Sequence, residues 1–149
     1  LLLTKSKSME VPVNYLAVLA AALSSMMLGF LWYGPVFGKQ WKALMGMTKE
    51  STDPTKKTGM NKSYVLMALG SLVMAYVLSY SLTFVSAYTQ TTGIVAGAMV
   101  GFWTWLGFVA PVTLGVVLWE GKPWKLWFLN AGYYLVSLKI MGVILTLWK

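Results

Sequence analysis

Leu28-Gly29-Phe30-Leu31-Trp32-Tyr33-Gly34, followed by Lys39-Gln40-Trp41-Lys42, is the most telling segment of this chain. It closes a long apolar run with Leu-Trp-x-Gly and then shows Lys-x-Trp-Lys. The pattern returns as Leu114-Gly115-Val116-Val117-Leu118-Trp119-Glu120-Gly121 and Lys122-Pro123-Trp124-Lys125. A membrane helix leaves a bilayer in this way, with Trp at the interface and Lys among the headgroups. Trp32, Trp41, Trp119 and Trp124 therefore read as interface anchors at one face of the membrane, and Trp148 as an anchor at the other. Two such exits suggest a duplicated helical hairpin.

Four nearly uncharged runs are long enough to span, at residues 13–33, 64–88, 94–119 and 126–148. Each reaches the roughly 20 residues that cross about 30 Å of hydrocarbon. The runs do not alternate in polarity, and a helix satisfies its own backbone hydrogen bonds in lipid. The expected fold is all-α: a four-transmembrane-helix bundle occupying residues 13–149 behind an N-terminal extension, 1–12. Residues 37–47 place Phe37, Trp41, Leu44 and Met45 at helical spacing, which predicts a short interfacial helix after the first span. Residues 48–62, rich in Thr, Lys, Ser, Asp and Pro, read as a polar loop.

Only 11% of the 149 residues are charged, against roughly 25% in soluble domains. A net charge of +8 in so apolar a chain points to anionic lipid headgroups rather than nucleic acid. There is no Cys, His or Arg. The commonest general base and metal ligand is therefore missing, as are thiolate chemistry and bidentate phosphate recognition. No cofactor or metal is expected, and no enzymatic activity. The connections after the first and third spans hold eight lysines, whereas Lys5, Lys7 and Lys149 lie on the other side. This asymmetry places the lysine-rich connections on the cytoplasmic, matrix or stromal side of a bacterial inner or organellar membrane, with both termini outside.

Small residues recur every four positions: Ala17, Ala21, Ser25 and Gly29 in the first span, and Gly93, Gly97 and Gly101 in the third. Such stripes let helix backbones approach closely where lipid provides no hydrophobic drive. Pro111 cannot donate to the Gly107 carbonyl, so the third span should kink there. If the exits are a true repeat, related by a two-fold along the membrane normal, Trp32 and Trp119 should lie at equivalent depths.

Asn14-Tyr15-Leu16-Ala17-Val18, Gly29-Phe30-Leu31-Trp32-Tyr33-Gly34-Pro35 and Phe37-Gly38-Lys39 form one recognisable block. Trp119-Glu120-Gly121-Lys122-Pro123-Trp124 with Asn130-Ala131-Gly132-Tyr133-Tyr134-Leu135-Val136-Ser137-Leu138 form another. Together they resemble the small membrane proteins catalogued as domain of unknown function 1761, over residues 12–148. The resemblance implies four membrane helices and no particular activity.

Three sets of residues stand out as candidate sites. Glu120, the only acid close to a span, is expected to pair with Lys122 or Lys125 nearby, or with Lys39 or Lys42 across the axis, in preference to serving as a gate. Asn130, Tyr134 and Ser137, with Tyr133 beside them, share a polar face of the fourth span that either lines a cavity or bonds helices together. Lys139 falls about 180° from Asn130, away from that interior, where it would snorkel to headgroups or meet another subunit. Trp103 and Trp105 read as packing or lipid contacts rather than a cofactor platform. The function expected first is a structural or assembly component, as a homo-oligomer or an accessory subunit among other membrane proteins. The alternative is a small transporter or channel with a polar path near Asn130 and Tyr134.

Overall fold

A computed structural model of the chain describes residues 10–48 and 59–148. Among them there is no strand, and four helical stretches are long and apolar enough to cross a membrane: Tyr15–Val36, Met60–Thr89, Gly93–Leu118 and Trp124–Leu147. The protein is a four-span helical membrane protein, as its charge-poor runs indicate. Most of the loop at 48–62 lies outside the described residues. Its last residues, from Met60 on, already belong to the second span.

Local chemistry sets the span limits. The first span begins at Tyr15 because the Asn14 side chain accepts hydrogen bonds from the amides of Leu16 and Ala17, each at 3.1 Å. It runs α-helical to Leu31 and then widens into a π-helical turn, Trp32–Val36, that contains Pro35. The interfacial helix follows as Gly38–Leu44, shorter than the 37–47 expected, and ends where Gly46 takes a φ of +69°. The third span is α-helical over Gly93–Thr104. It then widens at Trp105–Val109 and resumes as the short α-helical turn Ala110–Thr113, which contains Pro111. Where a kink is expected from Pro111, the span carries a π turn, and the Thr113 hydroxyl donates to the Val109 carbonyl at 2.8 Å.

The fourth span is the hub. It packs most extensively against the third, next against the first, and more lightly against the second. The first and third lie on opposite corners, and the first–fourth contact far outweighs the second–third one. A two-fold relation between hairpins would make those two contacts alike, so the arrangement departs from it.

Both small-residue stripes are used, and both are used inside the chain. Ala17, Ala21 and Ser25 are buried, with Ala21 at 0% exposure, and Gly29 abuts the Tyr133 ring. Gly97 meets the backbone of Gly142, and Gly101 meets that of Leu138. Gly93 is a correction: at φ +83° with open space around it, it makes a turn rather than a packing contact.

The second span is buried on one side only from Ser71 onward, at Ser71, Ala75, Leu78, Ser79, Leu82 and Ser86. None of residues 59–70 is buried. Its first turns therefore stand away from the other spans and leave space at the end of the bundle that carries Lys39, Lys42, Lys62, Lys122 and Lys125.

Candidate functional site: an aromatic cavity at the lysine-rich end

That space is a cavity of about 860 Å³ with walls from all four spans and the interfacial helix. The first span contributes Gly29, Phe30 and Tyr33, the interfacial helix Trp41, and the second span Tyr64, Met67 and Ser71. The third contributes Thr113 and Val116, and the fourth Trp127, Asn130, Tyr133 and Tyr134. Among the described residues no charged side chain lines it.

Hydrogen bonds and ring contacts hold the walls in place. The Tyr33 hydroxyl donates to the Asn130 side-chain carbonyl at 3.0 Å. The Tyr33 ring stands edge-on to Trp41 at 5.5 Å and to Tyr133 at 5.3 Å. The Trp127 indole donates to the Thr113 hydroxyl at 3.0 Å, fixing the third span to the fourth. Two other tryptophans, each opening a π turn, clamp the fourth span: Trp32 donates to the Leu129 carbonyl at 3.1 Å and Trp105 to the Ala131 carbonyl at 2.8 Å. A helical carbonyl has a second lone pair for such a bond.

The polar face read from the fourth span divides in two. Asn130 and Tyr134 line the cavity. Ser137 lies deeper, at 0% exposure, and donates to the Ser25 hydroxyl at 2.8 Å. Tyr133 belongs to both levels: its ring faces the cavity while its hydroxyl donates to the Ser25 carbonyl at 3.0 Å. This network closes the cavity floor. Tyr133→Phe should lower stability by about 1 kcal/mol, the scale of an interhelical hydrogen bond in a membrane, without removing the ring. Denaturation in mixed detergent checks this, and Ser24→Ala, which removes only a bond to the residue's own helix, is the control.

Three hydrogen-bonding groups of the cavity have no partner among the described residues: the Asn130 amide NH2, the Tyr134 hydroxyl and the Ser71 hydroxyl. They converge from two spans on apolar and aromatic walls. This is the usual make-up of a small-molecule site.

Two expectations need correction. Glu120 is exposed, and among the described residues no lysine nitrogen comes within 4.0 Å of it. It sits in the turn before Gly121, whose φ is +66°, and carboxylate and ammonium groups in water gain little by pairing. The set Glu120, Lys122, Lys125, Lys39 and Lys42 therefore does not form an ion-paired site. Trp32 and Trp41 are not simple interface anchors, because both are half-buried and Trp41 lines the cavity. Trp119, at 87% exposure, Trp124 and Trp148 are exposed as anchors should be.

The sequence reading places none of Tyr33, Tyr64, Ser71, Thr113 and Trp127 at a site, and it places Trp41 only as an interface anchor. The spacing of Asn130, Tyr134 and Ser137 marks one face of one helix, but nothing in the order of residues shows which faces of the other three turn towards it.

No curated protein and no solved structure matches the chain. The family model described as "Protein of unknown function (DUF1761)" matches residues 16–146. That match takes in all four spans and every residue of the cavity, so the chain belongs to the DUF1761 family.

Proposed function

We propose that this membrane protein holds an uncharged, bilayer-soluble molecule in the cavity at its lysine-rich end and does not transform it. The carrying observation is the cavity, with three unpartnered hydrogen-bonding groups set in aromatic walls. The described lining carries no charged side chain, which favours a neutral ligand, since a buried charge without a partner is costly. A carbonyl, ester or hydroxyl head would meet Asn130, Tyr134 and Ser71, and a flat ring or chain would lie against Trp41 and Trp127. Phe30, Tyr64 and Met67 are both exposed and part of the lining, which supports entry sideways from the lipid.

Holding is favoured over conduction. A second, smaller cavity of about 340 Å³ lies at the opposite end, beside Asn14 and Trp148. Between the two stand Ala21, Ala75, Ser137 and Met141, all at 0% exposure. A path past Asn130 would have to open this layer.

The test is native mass spectrometry of protein extracted in mild detergent. Wild type should retain a neutral lipid-like species. Asn130→Ala combined with Tyr134→Phe should reduce retention about tenfold, the effect of roughly 1.4 kcal/mol from lost hydrogen bonds. Ser71→Trp should fill the space and abolish retention. Equal retention by all three proteins, or none by wild type, would refute the reading.

The lysine-rich end is assigned to the cytoplasmic, matrix or stromal side on charge asymmetry. The chain has no cysteine, so single cysteines at Lys122 and Thr91 should label from opposite sides of sealed vesicles, Lys122 from the inside of the cell or organelle. Labelling of the two positions with reversed sidedness would invert the assignment.

A further inference from the structure

Lys139 is exposed on the outer surface of the third and fourth spans, and its Nζ lies 5.7 Å from the centroid of the Phe102 ring. Its depth follows from helix geometry. It is eight residues before Leu147, about 12 Å from that end, and fifteen after Trp124, about 22 Å from the other. Phe102 is nine residues after Gly93, about 14 Å from the same end of the bundle. The ammonium therefore sits level with the ring and well inside the hydrocarbon, which is about 30 Å thick.

Snorkelling does not relieve it. Side chains lean toward their helix N-terminus, and the fourth span starts at the lysine-rich end. Lys139 thus leans toward the bilayer centre, away from the nearer headgroups. Its backbone cannot shift either. A Cβ built on Gly101 would come within 2.9 Å of the Lys139 amide nitrogen, which places Lys139 at the tight backbone crossing of the two spans. The surrounding surface, Met99, Trp103 and Ile140, is exposed and apolar. Among the described residues this fixed cation has one ring face beside it and no anion, a costly state in lipid.

We infer that the Lys139–Phe102 face docks a transmembrane helix of a different protein, one that carries an Asp or Glu at the middle of its span. A second copy of this chain does not supply that group. Its acids are Glu10, Glu50, Asp53 and Glu120, and none falls within a span. The partner's carboxylate would neutralise the ammonium, and its helix would cover Met99, Trp103 and Ile140. This contact is independent of the cavity and gives the assembly role a defined surface.

The test uses the full chain in phosphatidylcholine vesicles, with a fluorescent donor on a cysteine at Thr91. The probe is a synthetic Leu-rich transmembrane helix bearing an acceptor and one central Glu. Energy transfer should show the Glu helix associating about tenfold more strongly than otherwise identical helices with Gln or Leu at that position. The preference should persist in Lys139→Arg and vanish in Lys139→Leu and Lys139→Gln. The Glu, Gln and Leu probes compare charge without altering the protein, so a poorly folding variant does not blunt the test. Equal association of the three probes overturns the inference, as does a Glu preference that survives Lys139→Leu. Loss of the preference when phosphatidylglycerol replaces a third of the lipid, with Lys139-dependent retention of that lipid, would assign the cation to a lipid phosphate and also overturn it.

Discussion

Gly97→Leu is expected to separate the third and fourth spans at their tightest crossing and to cost about 3 kcal/mol or more. A Cβ at Gly97 would run into the Gly142 carbonyl, and one at Gly101 into the backbone of Leu138. The obstacle is main chain in both cases, so no flexible side chain can swing aside, and the two helices must move apart along their whole contact. Their drive to associate is packing itself, because lipid is as apolar as the side chains. Loss of that packing is not offset elsewhere. Gly101→Leu should behave alike. Gly70→Ala is the counterpart: its Cβ would meet nothing within 4 Å, so stability should change by less than about 1 kcal/mol. Melting temperature and denaturation in mixed detergent read these differences. Because the contact lies within one chain, the loss should not depend on protein concentration. A concentration-dependent loss would mean that the stripe joins two copies instead.

The sequence carried the fold in two ways. The scarcity of charge marked the apolar runs, with the uncharged polar turn at residues 89–93 dividing the middle two, and the four-residue spacing of Ala17, Ala21, Ser25, Gly97 and Gly101 marked the faces that meet. It did not carry what those faces meet. Gly142, which opposes Gly97, lies in no stripe of its own and carries no signal without its partner. The cavity was legible only in part, because Asn130 and Tyr134 fall on one helical face while Tyr33, Ser71 and Thr113 reach it from three other helices. The splay of the second span, which makes the room, depends on where its burial begins. Its apolar residues before and after Ser71 look alike in sequence, since in lipid both exposed and buried positions are apolar.

The repeated exit motif shows the same division between what residues are and where they point. Trp32 and Trp119 occupy matching places in Leu-Trp-x-Gly, but only Trp32 turns inward. Its indole bonds to the Leu129 carbonyl, its ring stands 4.7 Å from that of Phe37, and a Cβ on Gly132 would touch it at 3.5 Å. The difference lies in the backbone: Trp32 opens a π turn on the first span, whereas Trp119 follows the last short helical turn of the third. The tryptophan that mirrors Trp32 in structure is Trp105, which also opens a π turn and also binds a carbonyl of the fourth span. Trp32→Ala should therefore remove a joint between the first and fourth spans and cost about 3 kcal/mol, the scale of a lost large aromatic in a packed setting. Trp32→Phe keeps most of the ring and forfeits the hydrogen bond, so it should cost about 1 kcal/mol. Trp119→Ala should leave stability within about 0.5 kcal/mol of wild type, because its ring is 87% exposed and buries little against the protein. Denaturation of the three variants side by side gives the ranking. Equal losses at Trp32 and Trp119 would mean that both tryptophans act as interface anchors, and the joint inferred at Leu129 would have to be given up.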